Sequence, residues 1–489
     1  MDTVSVLVAV FVIFLLVWFT KTKYASNIPG PMGLPIVGYL PFMTKKPYLK
    51  LAQLRHKYGP IYRIHLGSRE IIILCDFNII KDAFTRDEIM GRPPDMPFDL
   101  SEETIRTEAF LGMPWKEQKR FSLHRLRDLG FGKTRMEEHL KEEIEELLER
   151  MNTETSKSTV RISDLLAPSM SNNIASFLFG KRLKYNNPRR KKLDELFSTI
   201  GKLNSVLALK MFFPWMGPFI KFFNIGSPKT LEKALEGVKE YVMEEIEEHE
   251  KTLDPNNIRD FLDGYLLEIE KRSNEPNTTF KRDVLCDMAR GFFGAGSETV
   301  RVSVDWLLLL CAAYPEVQKK IHQEIDTVLG TERFPSFQDR FDMPYTEACI
   351  CEMWRWKPTI PLSFLRYTLK DTELSGYFLP KHTRIMAVPY AVDHDEKLWG
   401  KDHDVYKPER FLNPDGKKVV KPEYFVPFSI GKRSCPGKSL AETEVFVYVT
   451  AILQRFEFSL PFGKKADLEG FLGIGIQPKR QELCLKLRQ

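Results

Sequence analysis

Disulfide and zinc chemistry are the first things this sequence does without. Its 489 residues hold seven cysteines, Cys75, Cys286, Cys311, Cys349, Cys351, Cys435 and Cys484, an odd number at scattered spacings and with no CxxC pair. Neither a disulfide framework nor a structural zinc site is indicated, and a reducing compartment is the natural reading. Internal repeats, low-complexity blocks and interdomain linkers are also missing, with 28 Gly and 31 Pro spread along the chain. Length alone would allow about three domains; without a linker, one large domain fits better. An excess of either charge is lacking too: 72 basic against 66 acidic residues give +6. That balance does not suit a nucleic-acid binder, and the mild basic excess suits at most an anionic membrane surface or an acidic partner.

What is present begins with an apolar run from Val4 to Phe19, broken only by Ser5 and followed by Thr20, Lys21 and Lys23. It is slightly short of the roughly 20 residues that span a bilayer, and flanking residues can complete it. Only Asp2 carries a side-chain charge before the run. A cleaved signal would want basic residues there, and a mitochondrial presequence would be Arg-rich and amphipathic. The spacing predicts a retained anchor over residues 1–20 with the body on the cytosolic side, because the lysines follow it. Residues 21–38 then form a basic and proline-rich hinge, Ile28-Pro29-Gly30-Pro31-Met32-Gly33-Leu34-Pro35, too dense in proline for helix or central strand. Residues 39–489 form the body.

Helical periodicity dominates that body. Leu140, Ile144, Leu147, Leu148 and Met151 make one apolar stripe among many Glu residues, the pattern of a surface helix. Lys239 to Lys251 is similar, and the acidic runs are simplest as solvated faces. Arg282 to Tyr314 is long, largely apolar and free of proline until Pro315, as expected of a helix buried in the centre of a large domain. Within it, Gly294-Ala295-Gly296 and then Glu298-Thr299 break local rules, and such breaks often mark function. Strand-like runs at Ile61–Leu66, Ile71–Leu74 and Ile385–Pro389 predict a small sheet beside a mainly helical body. The aromatic patch at Phe212-Phe213-Pro214-Trp215-Met216 and Phe219 to Phe223 suits either core or a membrane surface.

The decisive stretch is Phe428-Ser429-Ile430-Gly431-Lys432-Arg433-Ser434-Cys435-Pro436-Gly437. A cysteine followed by proline predicts the start of a helix, where unpaired N–H groups stabilise a thiolate. Gly431 and Gly437 let backbone turn tightly against a flat ligand. Arg433 can pair with a carboxylate on it, and Phe428 can shield the sulfur from water.

This segment resembles the haem-binding signature F-x-x-G-x-R-x-C-x-G of the cytochrome P-450 family at every defined position. Three further pieces agree in order. Glu352-Met353-Trp354-Arg355 is similar to the family's E-x-x-R element, Glu and Arg sharing a helix face. Lys407-Pro408-Glu409-Arg410-Phe411 is similar to its P-E-R-F element, implying a Glu352–Arg355–Arg410 cluster that locks structure near the haem. Ala295-Gly296-Ser297-Glu298-Thr299 resembles the oxygen-activation motif. There the glycines at 294 and 296 would thin the helix beside the iron, Thr299 would hydrogen-bond the oxygen being activated, and Glu298 would relay protons. The alternative is a threonine bonded back to its own helix. Trp115-Lys116-Glu117-Gln118-Lys119-Arg120 resembles the propionate-binding W-x-x-x-R helix but places Lys119 where arginine is usual, with Arg120 beside it; lysine supplies charge without a bidentate fork. Arg366 stands where many relatives carry histidine, and arginine can bind the same propionate.

The resemblance covers essentially the whole chain and looks closest to animal microsomal members that metabolise drugs and steroids. It implies one mainly α domain with a minor sheet, haem b held by the Cys435 thiolate, and insertion of one oxygen atom into a lipophilic substrate. It also implies electrons from NADPH through the cytochrome P-450 reductase, sometimes helped by cytochrome b5, and residence on the cytosolic face of the endoplasmic reticulum membrane. Matching to family substrate regions points to Phe98, Phe110, Phe293, Ala295, Leu362, Phe364 and Phe471, each of which plain core packing explains as well. Lys116, Lys119, Arg125, Arg127, Lys432 and Lys438 suit a reductase-docking face or ordinary solvated charge. Two rival functions remain at this stage: a haem-thiolate isomerase or dehydratase acting on peroxides without a reductase, and a haem-binding sensor. The intact Glu298–Thr299 pair argues against both.

Overall fold

Proline placement organises much of the chain. Pro47, Pro228, Pro315, Pro344 and Pro389 each open a helix, the position where a missing N–H costs nothing. The computed structural model describes residues 27–95, 100–130, 134–202, 211–473 and 475–488. The expected anchor over residues 1–20, the start of the hinge and Phe98 lie outside the described residues. Among the described residues, no helix is long and apolar enough to cross a membrane.

The fold is mainly helical with small sheets. Its axis is the 32-residue helix Arg282–Ala313, ended by Tyr314 and Pro315. It packs against helices Ile162–Phe179, Pro228–Thr252 and Lys438–Arg455, and its apolar side chains join one continuous core. Helix Thr134–Glu154 lays Leu140, Ile144, Leu147, Leu148 and Met151 into that core, all buried. The acidic faces are not uniformly solvated, however. Glu143 and Glu245 are buried and ion-paired, Glu143 with Arg182 at 2.7 Å and Glu245 with Lys181 at 2.5 Å, because a carboxylate removed from water needs a cationic partner. The periodicity records which residues are acidic, but not which of them another helix will cover.

The principal sheet runs Ile61–Leu66, Arg69–Leu74, Arg384–Ala387, Arg366–Tyr367. The middle pairing is parallel and the outer two antiparallel, with Ile385 opposite both Ile72 and Arg366. The third strand ends at Ala387, short of the expected Pro389, because Pro389 starts the helix Pro389–Asp393. Helix Phe77–Thr85 covers one face of the sheet, helix Pro47–Tyr58 the other. Further two-stranded sheets pair Phe456–Ser459 with Cys484–Leu487 and Phe471–Leu472 with Ile476–Gln477, the second a hairpin.

Candidate functional site

The loop around Cys435 is held by backbone geometry that its glycine permits. Gly431 has φ +75°, and a Cβ there would lie 1.8 Å from the Phe84 carbonyl oxygen, so the loop docks on helix Phe77–Thr85 only with glycine at that position. This close approach is between two segments of the protein itself. The Cys435 N–H donates to the Phe428 carbonyl at 2.9 Å. Phe428 packs edge-on against Trp354, ring centroids 5.1 Å apart, and Trp354 Nε1 donates to Ser303 Oγ at 3.1 Å on the long helix. Helix Lys438–Arg455 begins after Gly437, so Pro436 lies before its first turn rather than in it. The expected lowering of the thiol by that terminus does not prevail: burial pushes the Cys435 thiol up, against the Gly437 N–H and the Lys119 charge. Protein surrounds the sulfur, yet the residue as a whole is exposed.

Four cations border the site. Arg433 donates to the Met90 carbonyl at 2.9 Å and lies 4.9 Å from the Trp115 ring. Arg366, buried on its edge strand, lies over Phe84. Lys119 Nζ donates to the Ser434 carbonyl at 2.7 Å and to its hydroxyl at 3.1 Å. The fourth, Arg92, escaped sequence reasoning; it donates to the carbonyls of Phe364 and Leu365 at 2.8 and 2.5 Å. None of the four is ion-paired with a described carboxylate. Burial lowers Arg92 to about 10 and Arg433 to about 8, and holds Arg366 well below the usual range with help from the other two charges. Trp115 Nε1 and Arg366 Nε are buried without a hydrogen-bond acceptor. Cations crowded together around unused donors fit an anionic group with two carboxylates, as haem b carries. Arg120, the other candidate at this point, is exposed on the same helix, because adjacent helical residues face directions about 100° apart.

On the long helix, Gly291 and Ala295 are exposed and Thr299 partly so, while their neighbours Phe293 and Val300 are buried. The i, i+4, i+8 spacing gives one open face. Gly294 and Gly296 face elsewhere: added Cβ atoms would meet Phe197 at 3.0 Å and Ile174 at 2.9 Å. They admit side chains of neighbouring helices and lie off the open face of Gly291, Ala295 and Thr299. Thr299 Oγ1 donates to the Ala295 carbonyl at 2.7 Å, the back-bonded alternative. Glu298 is not free but bound in a fork by Arg301, at 2.9 and 2.6 Å. Arg301 also reaches Asp305 Oδ2 at 3.3 Å and Gln477 Oε1 at 3.4 Å. Burial, with the charges of Glu298 and Asp164, pushes Asp305 up to about 6 despite Arg301.

The structure brings Glu352, Arg355 and Arg410 together. Arg355 forks onto Glu352 at 2.6 and 2.7 Å, and Arg410 Nε reaches the same carboxylate at 3.2 Å. Of the pocket candidates, Ala295, Phe364 and Phe471 are exposed, and Leu362 is half-buried. Phe110 packs on Trp115 at 5.4 Å, and Phe293 is buried in the core between Phe179 and Phe197. The basic face is thinner than its sequence. Lys119 points inward, and Lys116 and Lys432 share Asp87 at 2.7 and 3.3 Å. Arg125 lies 3.8 Å from Asp128 and Lys438 4.0 Å from Glu442, while Arg127 is exposed.

Residues 28–485 match the family model described as Cytochrome P450. Among similar proteins, Cytochrome P450 2J1 of Oryctolagus cuniculus is 34% identical over 478 residues, covering 96% of this chain and 93% of its own. Cytochrome P450 2A6 of Homo sapiens is 33% identical over 457 residues, covering 93% and 92%. Cytochrome P450 2C23 of Rattus norvegicus is 33% identical over 493 residues, covering 99% and 98%.

Proposed function

Because this chain belongs to the cytochrome P450 family and is one of its monooxygenases, we propose that it oxidises a lipophilic small molecule at the cavity between Cys435 and Thr299, with electrons from NADPH through a reductase. The single observation that carries this reading is the pairing of an open Cys435 with a ring of cations that no described carboxylate neutralises. Bound there, haem b supplies one-oxygen insertion chemistry, its iron taking the Cys435 thiolate as ligand. Arg92, Arg366, Arg433 and Lys119 would hold its propionates, and Phe428, braced by Trp354, would keep water from the sulfur. Thr299 and Glu298 would manage protons at the open helix face, Glu298 only after leaving the fork of Arg301. Purified full-length protein with haem, reductase and NADPH should convert members of a lipophilic panel, with product formation dependent on all three. Conversion without NADPH would overturn the reading in favour of an isomerase.

Two consequences bear on the site itself. Arg366→Met should quicken transfer of haem to an acceptor apoprotein. Charge-assisted hydrogen bonds contribute about 1.5–3 kcal/mol, so the rate should rise about 10–100-fold; an unchanged rate would remove Arg366 from the site. Asp305 offers a pH test. Its folded pKa lies above the ordinary value of 3.8, so between about pH 4 and pH 6 the folded state binds more protons than the unfolded one. This group's contribution therefore favours folding below that window and is lost as pH rises through it. Denaturation of Asp305→Asn across pH 4–7 should lack that downward slope, whatever the variant's absolute stability; an identical slope in both proteins would contradict it.

The patch beyond Phe213 supports a membrane-facing reading. Phe222 and Phe223 are 82% and 66% exposed, and Trp215, Phe219, Leu34 and Ile36 are exposed as well. A groove of about 510 Å³ lined by Leu34, Ile36, His65 and Trp215 joins hinge and patch. Apolar area of this extent rarely faces water unused. A bilayer surface, the endoplasmic reticulum membrane with the body on its cytosolic side, is the proposed setting; the reductase, and cytochrome b5 as an auxiliary donor, would dock at the basic residues around Arg127. Phe222→Asp with Phe223→Asp should weaken partition onto phosphatidylcholine vesicles. At about 1.5–3 kcal/mol for each of the two aromatics, the loss should be about 10²- to 10⁴-fold, and equal partition would place the patch elsewhere.

A further inference from the structure

A second concavity of about 360 Å³ lies between helix Pro47–Tyr58, the end of helix Pro344–Trp356 and the hairpin that closes at Ile476. None of the residues placed around Cys435 line it. Tyr48, Trp356 and Tyr390 supply aromatic walls, the two tyrosine rings 4.8 Å apart. Into this space Lys357 carries its amine 4.1 Å from the Trp356 ring centroid and 5.6 Å from that of Trp306. Lys46 and Glu469 pair with each other at 3.2 Å on the rim. Lys357 differs: among the described residues its amine has neither a hydrogen bond nor an ion pair. Aromatic faces attract the charged amine weakly and do not replace a carboxylate.

We propose that this groove is a second ligand site, in which Lys357 captures planar aromatic aldehydes as imines. Ring walls set the flat aromatic body, and a lone amine sets the reactive partner. An aromatic acid fits less well. Glu469 on the rim opposes another carboxylate, and the half-buried setting resists a charged pair. Burial, with the charge of Lys46, lowers Lys357 to about 8, although Glu469, Asp467 and Asp404 pull the other way. At pH 7.4 about one-fifth of such an amine is neutral, against about 0.1% at the ordinary lysine value. The nitrogen lone pair adds to the carbonyl carbon; the carbinolamine then loses its oxygen as water and a C=N bond replaces C=O. No oxidant or reductant enters.

The site is independent of the monooxygenase reading but borders its machinery. Ile476 lines the groove and its carbonyl accepts from Trp306 Nε1 at 3.0 Å; the next residue, Gln477, touches Arg301, which holds Glu298.

The experiment treats the full-length haem protein with 2-naphthaldehyde and cyanoborohydride at pH 6 to 9, then maps the alkylated lysines by mass spectrometry. At pH 7.4 Lys357 should be labelled at least tenfold faster than exposed Lys418, with a midpoint near pH 8. Acetaldehyde, which lacks a ring, should show a preference for Lys357 at least tenfold smaller. Prior 2-naphthalenemethanol should protect Lys357 and not Lys418, a comparison that needs no variant to fold. Lys357→Arg should lose the dominant label. Labelling no faster than at Lys418 overturns the proposal. So does fast labelling with no ring preference and no protection, which would leave a reactive lysine without a ligand site.

Discussion

Replacing Cys435 by Ser should lower turnover by on the order of 10³-fold or more, about 4 kcal/mol in the barrier. It should also abolish the red-shifted absorption that thiolate-ligated haem shows when reduced under carbon monoxide. A serine hydroxyl is a hard, weakly acidic ligand and does not push electron density as a thiolate does. The fold should survive. The loop is held by the Phe428 carbonyl on the Cys435 N–H and by the approach of Gly431 to Phe84, and neither involves the sulfur. Denaturation should therefore move by no more than about 0.5 kcal/mol from the wild type with haem removed from both. Cys351→Ser is the informative contrast: Cys351 is buried in the core and its thiol is pushed far up by that burial. It should lose stability while keeping the absorption. A Cys435→Ser protein that retained both absorption and turnover would remove the centre of the functional reading.

How far the sequence anticipates this site depends on whether a residue's role is local. The Cys435 segment is legible because its fixed residues lie within ten positions. The long helix is legible because a largely apolar stretch runs without proline to Pro315. Arg92 is not, since it stands alone between Gly91 and Pro93. Its place in the cation ring exists only once the carbonyls of Phe364 and Leu365 arrive from more than 270 residues away. The facing of Gly294 and Gly296 is not legible for the same reason. Which side of a helix meets Ile174 and Phe197, and which meets the cavity, is decided by partners from other segments. The Glu298–Arg301 pair is legible, because residues at i, i+3 are neighbours on any helix. The difference between Lys119 and Arg120 was likewise one of helix rotation.

The largest stability loss should follow from Arg355→Ala. Arg355 and Glu352 are both fully buried. Besides its fork onto Glu352, Arg355 donates to the carbonyls of Asp393 and His403 at 2.7 and 2.8 Å, and of Val405 at 3.3 Å. It thus fastens the helix Pro344–Trp356 to the segment leading to Arg410. Removing the guanidinium leaves a carboxylate in the core with, among the described residues, Arg410 and the Lys407 N–H against it, and strands the buried Asp393 carbonyl. Breaking a buried pair from one side costs about 3–5 kcal/mol, a large share of the about 5–15 kcal/mol that holds a domain folded. Arg355→Lys should recover only part of it, because a single ammonium cannot span the fork and three carbonyls. Arg410→Met should cost less than Arg355→Ala, since its Nε contact is longer and Asp402, its other acidic partner, is partly exposed. Urea denaturation of the haem-loaded proteins, followed by loss of haem absorption, should rank them in that order. If Arg355→Ala lost less than about 1 kcal/mol, the pair would be energetically a surface ion pair despite its burial, and the locking role of this cluster would have to be abandoned.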